Sequence, residues 1–194
     1  MPAVVDHNKR RRELIVVAIE LIAEAGLNGA SVRAIAARAG YSTMVVEHYF
    51  RNKAELLRQA FEYTIEQTER RVDSVMAGGA DARAALETFL PIGEGASQTW
   101  KVWFAFWGAA LGNSEYTAAQ ARRGREGMEI IGRVLDKCSD IPPTAAGGRE
   151  MQSARLLTMI AGIAAIATFD PDTWPPNRQR ATLAGELTAL RAGY

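Results

Sequence analysis

Residues 31–50, SVRAIAARAGYSTMVVEHYF, read as two short helices folded against each other across a tight turn. Ser31 is placed to cap the first helix, whose apolar positions Val32, Ile35, Ala36 and Ala39 share one side, and Gly40 supplies the left-handed residue that ends it. Ser42 is placed to cap the second. There Val45, Val46, Tyr49 and Phe50 recur at helical spacing and turn inward, leaving Thr43, Met44, Glu47 and His48 on an open side. Helices that cross at roughly 90–120° over a short turn must approach closely, and Ala36 is small enough to allow it. An open face of this size fits a DNA major groove, although helical hairpins also serve as plain packing units in all-helical domains.

The flanking residues extend the unit. Upstream, Leu14, Ile15, Ala18, Leu21, Ile22 and Ala25 form an apolar stripe on a helix that ends near Gly26 to Gly29, so three helices can share a small core. Downstream, Asn52 followed three residues later by Glu55 resembles a capping box and predicts a long helix beginning at Lys53. The unpaired N–H groups of that helix start, joined by the Lys53 ammonium, make a ready phosphate site beside the reading helix.

From Ile35-Ala36 through Ala39-Gly40, Ser42, His48-Tyr49-Phe50 and Asn52-Lys53 to Leu56-Leu57, the order and spacing resemble the TetR family of one-component transcriptional regulators, and the resemblance runs over the whole chain. It implies an all-α fold: an N-terminal three-helix helix-turn-helix DNA-binding domain and a larger helical domain for ligand binding and dimerisation. It also implies DNA contacts at Ser31, Arg33, Ser42, Thr43, His48, Tyr49 and Lys53, mostly to phosphates, with the open face that carries Met44 and Glu47 touching bases. This chain departs from many relatives at Met44, where they carry Gly or Lys, at Val45, where they carry Thr, and at Glu47, where they carry Tyr. Val45 cannot donate to a phosphate, and Glu47 repels one unless it accepts from a cytosine amino group.

Net charge over the whole chain is only +1, but residues 1–60 carry +3 and the remainder −2, so the sign suits DNA at the reading end. Most of that charge comes from Lys9-Arg10-Arg11-Arg12, read as a basic arm ahead of the first helix that tracks a phosphate backbone or remains a solvated tail. So modest a field predicts that affinity needs two reading heads. The longest uncharged run, residues 156–169, has 14 residues, too short for a membrane span. The start of the chain has no apolar targeting segment, and the lone Cys138 has no internal disulfide partner, which places the protein in a reducing cytoplasm. Zinc-ligand spacing and glycine-rich phosphate loops are absent, and His7, His48 and Cys138 are far apart in sequence. Neither an enzyme nor a metal or cofactor is therefore expected.

Strand-like alternation is missing throughout, and breaks beyond residue 60 bring the count to nine helices. The long helix from Lys53 ends at Gly78-Gly79, and the next ends by Pro91 to Gly95. Further helices run to about Gly112-Asn113, from Glu115 to Cys138, from Arg149 to Phe169 and from Asn177 to Ala192, with Asp170 to Pro176 a stiff connector. The domain boundary is placed between 54 and 55: residues 1–54 form the DNA-binding domain and residues 55–194 the ligand-binding and dimerisation domain.

Three of the four tryptophans fall in residues 100–107. At 100° per residue, Trp100, Trp103, Phe104, Trp107 and Leu111 share one helix face, which suits either core packing or a ligand wall. With the basic stretch Arg122-Arg123-Gly124-Arg125, this pattern resembles the BetI-like branch of the family and implies a choline-sensing ligand domain. Indole faces attract quaternary ammonium groups, and a flat aromatic or lipophilic molecule would suit them equally. Residues 156–169 are apolar nearly all round. That helix is expected to cover one side with its own domain and the other with a second copy, its small residues Ala161, Gly162, Ala164 and Ala165 permitting close approach. Leu156, Ile160, Ile163 and Ala164, joined by Leu183, Leu187 and Leu190 of the last helix, are the residues assigned to a homodimer seam. The reading that results is a regulator bound to a palindromic double-stranded DNA operator and released by a small-molecule effector. The alternative is a helical small-molecule-binding or adaptor protein without sequence-specific DNA binding.

Overall fold

In the computed structural model, which describes residues 6–137, 141–143 and 148–193, the described residues form nine α-helices and no strand. They are α1 (His7–Gly29), α2 (Val32–Ala39), α3 (Thr43–Tyr49), α4 (Lys53–Ala77), α5 (Ala82–Glu87), α6 (Glu94–Ala110), α7 (Ser114–Lys137), α8 (Gly148–Phe169) and α9 (Pro176–Arg191). Cys138, the expected end of α7, lies outside the described residues.

At Ser31, Gly40 and Asn52 the local signals act as their chemistry predicts, whereas Ser42 holds the cap position of α3 without a side-chain cap bond. Ser31 Oγ accepts from the Ala34 N–H at 3.1 Å, and Gly40 closes α2 with φ 72°, a backbone state that a side chain would strain. Asn52 caps α4 by accepting from the Glu55 N–H at 2.8 Å, while Glu55 reaches back to the Arg51 N–H at 2.9 Å, one residue earlier than a standard capping box. Within α1 the helical path breaks at Gly26 (φ 68°, ψ −176°), so the Gly26 to Gly29 turn is a kink inside the element. Three boundaries differ from expectation. α5 stops at Glu87, before Pro91. Pro176 is not part of the connector but opens α9, where its missing N–H costs nothing. Lys9 to Arg12 are not an arm: Asp6 caps α1 ahead of them, accepting from the Lys9 N–H at 3.1 Å, and they ride on the helix.

Two apolar cores result. The first joins Leu14, Ala18, Ile22, Ile35, Ala36, Val46 and Phe50 of the three-helix head to Leu56, Ala60 and Phe61 of α4, and also to Val102 and Phe106 of α6. The second gathers Leu86, Leu90, Trp100, Ile131, Leu135 and Leu156 with the α9 leucines. The head is therefore not sealed at residue 54, because α4 and α6 both contribute to its core. α8 is the one helix among the described residues with the length and apolarity of a membrane span, and its inward face fills the second core.

Candidate DNA-reading surface and effector cavity

The helix pair α2–α3 is held from behind. Arg38 on α2 donates to both carboxylate oxygens of Glu24 on α1, at 3.1 and 2.9 Å, and these bonds keep the Glu24 carboxyl below its ordinary range. The Tyr41 hydroxyl donates to Glu13 at 2.9 Å, and the Arg10 guanidinium lies 5.0 Å from the Tyr41 ring centroid. Arg11 donates to Gln59 at 3.1 Å and stands over the Phe50 ring, tying α1 to α4. Two of the four basic residues read as a DNA arm therefore brace the head from within.

The outward side of α3 matches the reading from its periodicity. Val46 is buried and Val45 and Tyr49 are half-buried, whereas Thr43, Met44, Glu47 and His48 are exposed, Met44 to 76%. Ser42 occupies the cap position of α3 without making a side-chain cap bond, which leaves its hydroxyl free for an outside acceptor. Arg33 is exposed on α2, and half-buried Lys53 is the first residue of α4. Ser31 is different, since its hydroxyl oxygen already accepts the α2 cap bond, which fixes the side chain while its proton stays available to donate. The nine residues assigned to DNA thus come from α3, the α2 start and the α4 start.

A cavity of about 490 Å³ opens in the second domain, between α4, α6, α7 and α8. Trp100, Trp103 and Trp107 line it from α6. Their stacking is edge-on: Trp100 to Trp103 at 4.8 Å and Trp100 to Trp107 at 6.3 Å between ring centroids. Two of the indoles are anchored, Trp100 donating to the Phe89 carbonyl at 2.6 Å and Trp103 to the Thr64 hydroxyl at 2.9 Å. Phe104 is not part of this wall. Its ring packs against Trp107 at 5.3 Å, Trp100 at 5.5 Å and Phe169 at 6.0 Å without lining the cavity, and Leu111, at the end of the expected stripe, is 93% exposed.

The sequence places a ligand between α6 and the helix starting at Lys53, but it does not name the residues that form the α4 and α7 walls. Phe61, Ile65 and Glu69 stand four residues apart on α4, a spacing that marks a face but does not name what it faces. A polar ladder runs beside them: Arg71 donates to Thr68 Oγ1 at 2.8 Å, Thr68 to the Thr64 carbonyl at 3.0 Å and Thr64 to the Phe61 carbonyl at 2.7 Å. Burial lowers the Arg71 pKa. Of the three arginines in the basic stretch on α7, only Arg123 lines the cavity, where it is paired with Glu126. Glu69 also lines the cavity and has no ion pair among the described residues.

The seam assignment needs correction. Leu156, Ile160, Ile163, Ala164, Leu183, Leu187 and Leu190 are at most 3% exposed, all packed in their own protomer's core, because the branched side chains of α8 and α9 turn toward each other and toward α5 to α7. The opposite side of α8 is the open one: Met151 is 53%, Ile166 46% and Phe169 80% exposed. Gly162 on α8 and Gly185 on α9 share that outward side, and a Cβ built on either meets nothing within 4 Å.

Comparison with known proteins matches both halves. The profile of bacterial regulatory proteins of the tetR family matches residues 14–60, and that of the BetI-type transcriptional repressor C-terminal domain matches residues 79–192. The HTH-type transcriptional regulator PksA of Bacillus subtilis (strain 168) is 30% identical over 175 residues, which is 88% of this chain and 84% of that protein. Against the BetI regulators of Escherichia coli the match, at 32% identity, spans 60% of their length. Among solved structures, a transcriptional regulator from Rhodococcus sp. Rha1 superposes with a TM-score of 0.80 at 27% identity, covering 94% of this chain and 96% of its own. A regulator from Saccharomonospora viridis, solved in complex with choline, gives a TM-score of 0.79 at 19% identity and covers 92% and 95%.

Proposed function

The chain belongs to the TetR family of bacterial regulatory proteins, with a BetI-type C-terminal domain, and on that premise we propose a cytoplasmic homodimeric repressor released from a palindromic operator by a small molecule. The observation that carries this reading is the double role of α6. Its tryptophans line the cavity, while Val102 and Phe106 sit in the core of the reading head. A ligand that displaces α6 therefore pushes directly on α1, and through Phe61 on α4 as well. Paired heads must keep recognition helices about 34–36 Å apart to enter successive major grooves, so a small rotation spoils binding. Coupling of about 1–3 kcal/mol changes operator affinity roughly 5- to 150-fold.

The second copy is expected on the open faces of α8 and α9. Gly162 and Gly185 meet no side chain within the protomer, which suits close approach of a neighbouring helix, and Ile166 and Phe169 supply apolar area. Protein function here is binding and not catalysis.

The effector is a compact organic molecule, since about 490 Å³ of mostly apolar space lies within the roughly 300–1,000 Å³ of small-ligand pockets. Indole faces and the unpaired Glu69 carboxylate favour a cation of the choline type over a neutral aromatic or lipophilic compound. The experiment is a gel shift with genomic fragments, with and without choline and with neutral aromatic compounds, alongside tryptophan fluorescence. Operator release with choline that is weakened by Glu69→Gln supports the cation. Saturating choline that moves neither readout excludes it, and absence of any retarded fragment sinks the repressor reading.

A further inference from the structure

The chain has only two histidines, and the fold brings them together. His7, the first residue of α1, and His48, in the last turn of α3, have ring centroids 6.1 Å apart, both exposed. Tyr49 completes the group, with His48 edge-on at 5.0 Å and His7 at 5.8 Å. His7 Nδ1 lies 2.9 Å from the Tyr49 hydroxyl oxygen. This cluster stands on the face assigned to DNA, yet His7 lies outside the helix-turn-helix segment and nothing in that motif points to it.

The chemistry of the 2.9 Å contact depends on the proton. With Nδ1 unprotonated, the tyrosine hydroxyl donates its single proton to the ring. Once the imidazole is an imidazolium, both of its nitrogens carry hydrogens and Nδ1–H must donate to the tyrosine oxygen instead. The hydroxyl proton is then free to turn to an outside acceptor, and two positive rings stand beside it. An anion with several acceptor oxygens satisfies all three groups, and the sugar–phosphate backbone of duplex DNA offers such oxygens in series.

We propose that His7 is a further DNA-binding residue, and that His7, Tyr49 and His48 together grip a backbone phosphate in their protonated form, so that operator docking takes up protons. The proposal rests on the reading that the outward face of α3 docks on duplex DNA. The surrounding charges are mixed. Ahead of α1 stands Asp6, whose carboxylate caps the helix, and on α1 the cations Lys9, Arg10 and Arg11, of which Arg10 lies over Tyr41 and Arg11 pairs with Glu55. On α3 stands Glu47, after it Arg51, paired with Glu55, and at the α4 start Lys53. A bound phosphate adds negative charge at the rings themselves and so favours the imidazolium state over the free protein. The sign follows: DNA affinity is highest at mildly acid pH and declines as pH rises through the range, about 5 to 8, in which histidine as a residue type loses its charge.

The test is fluorescence anisotropy of a labelled operator fragment titrated with the full chain from pH 5.5 to 8.5 at constant ionic strength. Affinity is expected to fall about tenfold or more between pH 6 and pH 8, with a steeper salt dependence at the acid end, by up to about 0.9 in log–log slope for each added charge that meets a phosphate. His7→Gln combined with His48→Gln removes the pH dependence and the change in salt slope. His7→Lys keeps a permanent charge and binds more tightly than the wild type at pH 8. Both positions are exposed, and circular dichroism checks that the variants fold. Strong wild-type binding that is indifferent to pH overturns the proposal while leaving the repressor reading intact. So does a His7→Phe variant that keeps the wild-type pH profile, which would make the ring a packing element only. No binding to any duplex at any pH overturns both.

Discussion

Trp103 of α6 donates its indole N–H to the Thr64 hydroxyl of α4 at 2.9 Å, and this bond ties the tryptophan helix of the cavity wall to the helix that enters the reading head. Both residues stand where the two cores meet. Trp103 packs against each of them, and Thr64 is an inner rung of the ladder from Phe61 to Arg71. A displacement of α6 is thus delivered to α4 through a directional bond as well as through contact.

Thr64→Val keeps the shape and removes the acceptor. The half-buried Trp103 N–H loses its partner, which is expected to destabilise the fold by about 1–3 kcal/mol. Thermal denaturation measures that loss. Operator affinity without effector should change little, while the effector-induced drop should shrink. A variant that retains the full drop would show that packing alone transmits the signal.

Lys53→Ala tests the phosphate site at the α4 start. Log affinity plotted against log salt concentration should flatten by about one unit per head, and all sequences should weaken alike, because a phosphate contact carries no base information. An unchanged slope removes Lys53 from the contact set.

Gly162→Leu tests the open face of α8. Within the protomer the new side chain enters empty space and replaces a poor helix former, so the protomer should fold and should gain up to about 1 kcal/mol of helix stability. At a close two-fold contact the same side chain collides. Analytical ultracentrifugation should therefore find a folded monomer with weakened operator binding, and an undisturbed dimer would move the interface elsewhere.

Acid sensitivity should localise to Glu55 and Glu24. The Arg51 backbone N–H and guanidinium hold the Glu55 carboxyl below its ordinary range, and Arg38 does the same for Glu24. Each group binds fewer protons folded than unfolded, so its stabilising share is present at neutral pH and is lost as pH falls below the usual carboxylate range of about 4. Denaturant titrations at pH 7 and pH 3.5 should show a smaller acid loss in Glu55→Gln than in the wild type. An equal loss in both would assign the acid response to other carboxylates.

Local signals sufficed wherever a residue acts on its own neighbourhood. Caps at Ser31 and Asn52, the left-handed Gly40, and the inward and outward sets of α3 are decided within a few residues of chain, and these define the reading head. The family pattern lies in the same span. Periodicity also found the apolar helices α6 and α8, but it fixes only a face and its angle, not the surface met by that face. Phe104 and Leu111 share the tryptophan arc and still leave the cavity, because the neighbours that define it are α4 and α7, brought in from more than 30 residues away on one side.

What the chain's order of residues determined was therefore the all-helical fold, the head and the outward side of its α3, since each follows from short-range hydrogen bonding and spacing. Tertiary packing alone decided which half of α8 is spent on the protomer's own core, that α6 buttresses α1, and that two histidines 41 positions apart meet at Tyr49. These depend on how helices cross, and the crossing is set by the summed fit of many side chains, a quantity no local pattern carries.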